Sequence, residues 1–439
     1  MENPADDPKL QALHRALEKI RVAPAYRPGQ WFVGPLNFAP EVRATMNLPA
    51  KVEICDVTLR EASQAYFTVE HYVTMATALD EAGVSVIQFL APKNHGADDE
   101  ALQALERLAK TKLKAKLQLY GVASESQIDL ARDHGVEIVS YTIFPLPEWQ
   151  PIYAASRKPE SRPGALERSR AADTEPALLD YVEKTAAAIH RRGLKPRPIA
   201  NFFSLASLEF LCKLARSCER AGVYALNFVD AAGSMGPAAC RHVIAEVRKA
   251  APHLALGIHA HNDLGLATAN ALAGVEGGAS QVDVTVNGAG ARAGNAAMAE
   301  VVVALEALYG VKTGIALAKL TGLARLFEDL SRWPTPKDKP LVGEYAFTDA
   351  SETHSFLLRA DPLLFAPVRP ELVGNKRRSH LDLKSGENTL RMRLQEIGVA
   401  FPEERLADLL RRIRSEIALR RRPLTEEEIR DCANETRNP

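Results

Sequence analysis

The sequence lacks a net charge: 55 Lys and Arg balance 55 Asp and Glu over 439 residues. Nucleic-acid and membrane-surface binders carry a large basic excess, so neither kind of partner is expected. It also lacks any apolar run of the roughly 20 residues that span a bilayer. The opening MENPADDPKLQALHRALEKI lacks the apolar stretch of a secretory signal. Cysteine is scarce and odd in number (Cys55, Cys212, Cys218, Cys240 and Cys432), with no Cys-x-x-Cys. That pattern disfavours a disulfide framework or a cysteine zinc site and makes the reducing cytoplasm the expected location. What is present, 46% hydrophobic and 25% charged residues, belongs to an ordinary globular protein. The length calls for two or three domains, or one large barrel with an appendage.

Residues 1–50 read as an N-terminal extension. One amphipathic helix is expected over Leu10–Ile20, after which Pro24, Pro28, Pro35 and Pro40 interrupt regular structure, so the segment should drape over the main domain. From residue 51, short apolar runs alternate with stretches of helical periodicity. The expected strands are Val52–Asp56, Ser85–Leu90, Ala115–Gly121, Val136–Phe144, Pro196–Ser204, Val223–Asp230, Leu254–His261 and Gln281–Asn287. The clearest helices are Val69–Ala82, Asp99–Lys110, Glu125–His134, Ser207–Ala221, Pro237–Ala250 and Leu264–Gly277. Gly83, Gly135, Gly193, Gly222 and Gly278 follow helical stretches, where a left-handed cap suits glycine. Strands rich in Val, Ile, Leu and Phe without strict alternation are buried on both faces, as in a parallel sheet. Eight βα units over about 260 residues predict an α/β fold, a (β/α)8 TIM barrel spanning 51–312. A doubly wound open sheet is the alternative.

The Pro- and Arg-rich stretch from Pro145 to Pro176 reads as an extended loop on the active-site face. Residues 313–439 form a C-terminal appendage with helices expected near Leu317–Trp333, Glu387–Gly398 and Glu403–Arg421. The closing RRRP and TEEEIRD carry charges of both signs and read as a solvated face.

In a parallel barrel the reactive groups lie at the C-terminal strand ends. The first strand ends in CDVTLREASQ, placing Asp56, Arg60, Glu61 and Gln64 at the rim. The seventh ends in HAHND and the eighth runs into NGAGARAGN. His259 and His261, two apart on a strand, point to one side. With one carboxylate they make a three-ligand divalent-metal site, to which Asn295 could add an oxygen. Spacing alone leaves Asp56 and Glu61 as alternative carboxylates. Arg60 beside the metal would stabilise a developing enolate or alkoxide; the competing view is a rim salt bridge. Gly288, Gly290 and Gly294 would either bring backbone close to a ligand or make a turn.

At these residues the sequence resembles the DRE-TIM metallolyases. DVTLREASQ, HAHNDLGLATANALAGVEGGA and TVNGAGARAGNAAMAEVVVAL are similar to the signatures of that superfamily. LVGEYAFTDASETHSF, RPELVGNKRRSHLDLKSG and RRRPLTEEE resemble the C-terminal subdomains of its homocitrate and isopropylmalate synthase branch. The resemblance implies a divalent metal (Mg, Mn or Zn) on Glu61, His259, His261 and Asn295, with Asp56 behind them. It implies Arg60 polarising a 2-oxo group, Gln64 positioning substrate, and His354 reaching the active site from the partner of a homodimer. Asp230 and Arg292 fall at positions expected to contact substrate. The implied activity joins an acyl-CoA, acetyl-CoA foremost, to a 2-oxo acid, giving a 2-hydroxy diacid.

The chain departs from the family pattern at several positions. Ser-x-Glu-Asp after the fifth strand is replaced by FFSLASLEF, with no acid before Glu209. A tyrosine eleven residues after His354 is Phe365, Asp-Thr is Asp230-Ala231, Gly-Glu-Arg is Gly290-Ala291-Arg292, and the glycine after the metal carboxylate is Ala62. Against that family pattern the metal-binding residues are all present, while the groups that recognise the oxo acid and activate a thioester methyl are altered. Two further readings therefore stand beside the synthase: an aldolase or lyase cleaving a 4-hydroxy-2-oxo acid, and a barrel that binds a metabolite without catalysis.

Overall fold

A computed structural model describes residues 8–91, 100–122, 124–149, 152, 172–349 and 351–437. Eight parallel strands close into a barrel: β1 Glu53–Asp56, β2 Val86–Leu90, β3 Lys116–Tyr120, β4 Ile138–Ile143, β5 Lys195–Asn201, β6 Leu226–Asp230, β7 Leu256–Ala260 and β8 Gln281–Val284. Closure is direct, because β8 pairs with β7 and also with β1, through Val282↔Ile54 and Val284↔Asp56. The open-sheet alternative is thereby excluded. All eight expected strands form, most of them shorter than expected; the fifth begins one residue earlier, at Lys195, and the eighth stops at Val284 before a 3-10 turn at Val286–Gly288.

The strands are buried on both faces for two different reasons. Ile54, Ile87, Leu119, Phe228 and Ile258 are fully buried and alternate with the interior positions, so they face the surrounding helices. The inside is polar: Gln88, Gln118, Ser140, Arg197, Asn227 and Asp283 have no appreciable solvent exposure. Most TIM barrels fill this space with branched apolar side chains. Here hydrogen bonds join several of these groups, such as Gln118 Nε2 to the Ser140 hydroxyl, while both amide atoms of Gln88 have no partner among the described residues.

The helices follow their sequence signals. Thr68, Ser124, Thr174 and Ser207 each cap a helix by accepting a hydrogen bond from a backbone N–H three residues on. The helix Pro237–Ala250 has its expected bounds. The loop expected over 145–176 lies largely outside the described residues. No described helix is long and apolar enough to cross a membrane.

Two compact units divide the chain between residues 39 and 40 and between 335 and 336. Their boundaries differ from those expected at 50/51 and 312/313. The helix Leu320–Ser331 belongs with the barrel because Phe327 packs edge-on against Phe67 at 6.3 Å. Asn287 Nδ2 also donates to the Ala324 carbonyl and to Thr335 Oγ1. The described residues up to Ala39 belong with the C-terminal region, while residues 40–50 belong with the barrel, where Asn47 N donates to the Glu276 carbonyl. Phe32 N donates to the Pro367 carbonyl, and Arg369 N to the Gln30 carbonyl. That second unit has its own apolar core, including Leu390, Leu394, Leu409, Ile413 and Ile429. The acidic run Glu426–Glu428, expected as a solvated face, opens the helix Glu426–Arg437, which buries Ile429, Cys432 and Ala433 on its other side. Negative charge in a first helical turn is favoured by the helix dipole.

The post-helical glycines take positive φ as expected, but their surroundings differ. A Cβ on Gly83 (φ +91°) would lie 2.4 Å from the Gly314 carbonyl oxygen, whereas Gly193 (φ +73°) has nothing within 4 Å. Gly193→Ala should therefore cost about 1 kcal/mol from the backbone alone. Gly83→Ala should cost at least about 1 kcal/mol more. Urea unfolding of the two variants measures the difference.

Candidate metal centre at the mouth of the barrel

The carboxyl end of β1 is shaped by Asp56. Its Oδ1 accepts from Thr58 N at 3.0 Å and its Oδ2 from Thr58 Oγ1 at 2.8 Å. Thr58 Oγ1 in turn accepts from Val286 N, tying this turn to the loop after β8. The short helix Thr58–Glu61 that follows carries Arg60 and Glu61. Burial pushes the Asp56 carboxyl up to about 7. Asp56 is therefore a turn-forming group, and the carboxylate that joins the histidines is Glu61.

Glu61, His259 and His261 each offer one ligand atom, and the three atoms lie within 4.8 Å of one another. His259 Nε2 is 3.3 Å from His261 Nε2 and 3.8 Å from Glu61 Oε1. The donor set fits a divalent cation: two imidazoles, a carboxylate and a neutral oxygen converge with open positions left over. Two buried atoms support that fit, since His261 Nδ1 and Asn295 Oδ1 have no hydrogen-bond partner. Burial, then the neighbouring His259, push the His261 imidazole well below its ordinary value, so it is neutral and ready to ligate at pH 7. Burial pushes Glu61 up, but Arg60, His259, His261 and Asn295 together outweigh it and hold the carboxyl below its usual range.

Arg60 is fixed on two sides. Its Nη1 lies 2.7 Å from Glu61 Oε1, and its guanidinium carbon sits 4.0 Å from the centre of the Tyr120 ring. Its Nε is buried with no hydrogen-bond partner. The rim salt bridge and the cation beside the ligand set are thus both present in one residue.

The glycines of the eighth loop serve Asn295. A Cβ on Gly290 would fall 2.0 Å from Asn295 Nδ2, and one on Gly294 would fall 2.0 Å from the Gly288 carbonyl oxygen. Asn295 Nδ2 donates to the Ala289 carbonyl, and residue 295 bridges His261 through the backbone. Of the two roles open for these glycines, close backbone packing around Asn295 is the one the structure adopts.

The other expected site residues lie at varied distances from this chemistry. Gln64 is exposed on a 3-10 turn, Ser63–Ala65. Asp230 is buried, and its carboxylate accepts from Ser234 Oγ and Met235 N, shaping the loop after β6. Arg292 donates to both oxygens of Asp263 and to the Ala231 carbonyl, clasping the loops after β6, β7 and β8. His354 belongs to the other compact unit, on the helix Glu352–Ala360 capped by Ser351. Its Nδ1 is 3.0 Å from Asp349 Oδ2, and its ring stacks on Phe365 with centroids 3.9 Å apart. Where FFSLASLEF lacks an acid, β5 ends at Asn201 and Phe202 turns left-handed (φ +59°). Phe202 stacks on Phe144 and meets Trp149 edge-on.

Sequence reasoning missed the ion pair between Arg197 Nη2 and Asp283 Oδ1, 2.7 Å long and buried beneath His259. The available signal was a charged residue inside each of the strands KPRPIAN and QVDV, Arg197 and Asp283.

The HMGL-like family profile matches residues 51–145 and 167–327, and that of the homocitrate synthase post-HMGL domain matches 341–421. A putative (R)-citramalate synthase of Methanopyrus kandleri is 33% identical over 90% of this chain and 74% of its own length. A probable 2-isopropylmalate synthase of the same organism is 34% identical over 84% of this chain and 70% of its own. Its homocitrate synthase AksA is 32% identical over 86% of this chain and 91% of its own.

The two candidate carboxylates are separable by metal binding. Glu61→Gln, His259→Ala and His261→Ala should each weaken Mn²⁺ binding at least about 100-fold, the loss expected of a direct ligand. Asp56→Asn, which loses one of the two hydrogen bonds that set the turn and no ligand atom, should weaken it less, by about tenfold. Titration calorimetry on metal-stripped protein measures both.

Proposed function

From the premise that the chain belongs to the HMGL-like family, with a homocitrate-synthase-type domain after its barrel, we propose that it is a divalent-metal-dependent acyltransferase. It joins an acyl-CoA, acetyl-CoA foremost, to a 2-oxo acid and releases CoA and a 2-hydroxy diacid. The observation that carries this reading is the convergence of Glu61, His259 and His261 beside the fixed guanidinium of Arg60. The synthase names of relatives at 32–34% identity support condensation over cleavage.

Glu61, His259 and His261 would hold the ion, with Asn295 Oδ1 as a further oxygen donor. A bound divalent ion supplies Lewis acidity toward the oxo oxygen of the acid. Arg60, pinned between Glu61 and the Tyr120 ring, needs little reorganisation to meet the alkoxide that develops when the acyl-CoA enolate attacks the oxo carbon. Asp349 accepts from His354 Nδ1, which leaves His354 Nε2 free to take a proton from the thioester methyl. The family resemblance brings that histidine from a second copy, so the active form is a homodimer. Arg292 and Asp230 shape the rim through their loops, and Gln64 is free at the mouth to meet the acid. Thioester hydrolysis completes the reaction.

Supplied with Mg²⁺, Mn²⁺ or Zn²⁺, acetyl-CoA and a panel of 2-oxo acids, the protein should release free thiol with at least one acid. Arg60→Ala should lower kcat by about 10²–10³-fold, and His354→Ala by about 10²-fold or more. No metal-dependent thiol with any acid contradicts the acetyl-CoA reading. Pyruvate formed from a 4-hydroxy-2-oxo acid without CoA would mark a lyase.

A further inference from the structure

Beneath the ligand set, Asp283 on β8 is wholly enclosed in the barrel and all its near partners are polar. Its Oδ1 accepts from Arg197 Nη2 at 2.7 Å and its Oδ2 from Asn227 Nδ2 at 2.9 Å. The same Oδ2 lies 3.2 Å from His259 Nδ1. An ionised carboxylate only accepts, so the hydrogen of His259 sits on Nδ1 and Nε2 presents a bare lone pair. That Nε2 is the atom facing His261 and Glu61.

The brace is itself held in place. Arg197 is fully buried; its Nε donates to Gln281 Oε1 at 3.1 Å and its Nη1 to Gln118 Oε1 at 3.5 Å. Room for it comes from Gly257, two residues before His259 on β7. A Cβ there would lie 2.4 Å from Asn227 Oδ1 and 3.1 Å from Arg197 Nη2. A buried ion pair adds little net stability over a well-packed apolar pair of similar volume. Apolar residues at 197 and 283 would fill the space, but they would leave Nδ1 without an acceptor. Histidine ligands commonly depend on such an acceptor for tautomer and ring orientation.

We propose that Asp283, braced by Arg197 and Asn227, is a positioning residue that fixes the tautomer and ring plane of His259 and thereby sets the affinity of the metal centre. The inference rests on the metal reading above and deepens it. The charge pair at the barrel's heart belongs to the site and not to the stability of the core.

The test uses two variants of the full chain, with thermal melting followed by circular dichroism. Arg197→Met/Asp283→Leu replaces the pair by apolar groups and should melt within a few degrees of wild type. It should bind Mn²⁺ about 10–100-fold more weakly by calorimetry. Asp283→Asn keeps the shape should the double variant fail to fold, and should weaken binding in the same direction. In ¹⁵N imidazole spectra, the His259 resonance is identified by its loss in His259→Ala. It should report the Nδ1–H tautomer in wild type and a mixture of tautomers in Asp283→Asn. A folded variant with wild-type Mn²⁺ affinity and an unchanged His259 tautomer overturns the proposal. Should wild type bind no Mn²⁺, the metal reading fails, and the His259 tautomer alone decides the role of Asp283.

Discussion

Two imidazole nitrogens 3.3 Å apart in a nearly dry pocket make demands on everything around them. If both are bare lone pairs they repel, unless a neutral His261 donates its hydrogen from Nε2 to His259. A cation between them and the Glu61 carboxylate removes the conflict. Asp283 holds the hydrogen of His259 on the far nitrogen and burial keeps His261 neutral, so each ring can offer a lone pair to such an ion.

Each barrel end near this pair contributes a support of a different kind. Asp56 spends its carboxylate on Thr58, which sets the turn that delivers Arg60 and Glu61. Gly290 and Gly294 admit Asn295 and its backbone where any side chain would collide. Arg292 draws the loops after β6 and β7 together through Ala231 and Asp263. The polar barrel interior then becomes intelligible as a scaffold for polar groups above it, since Gln118, Arg197, Asn227 and Gln281 form a connected path beneath His259.

Much of this was legible in the linear chain because local rules carry it. The strand–helix alternation, the post-helical glycines and the HAH pair announce a barrel with a metal-binding mouth, and β8 pairing with β1 completes it. The choice between Asp56 and Glu61 was not legible from spacing, since both follow the same strand and only the Thr58 hydrogen bonds separate their roles. Arg197 and Asp283 were hidden because they stand 86 residues apart and meet only across the closed barrel. The unit boundaries were hidden for a similar reason. The helix Leu320–Ser331 lies beyond the βα rhythm, yet Phe327 meets Phe67 from the start of the chain's regular region. Long-range pairing, whether of charges or rings, has no signature in a local period.

A crystal structure of the protein grown with Mn²⁺ and a 2-oxo acid, with the metal located by anomalous scattering, tests the central claim most directly. The account predicts one strong peak about 2.0–2.3 Å from a Glu61 oxygen, His259 Nε2 and an imidazole nitrogen of His261. It also predicts the oxo acid on the open side of the ion, within reach of Arg60. A peak elsewhere, or a mouth occupied by the acid with no metal bound to the two histidines, would contradict it.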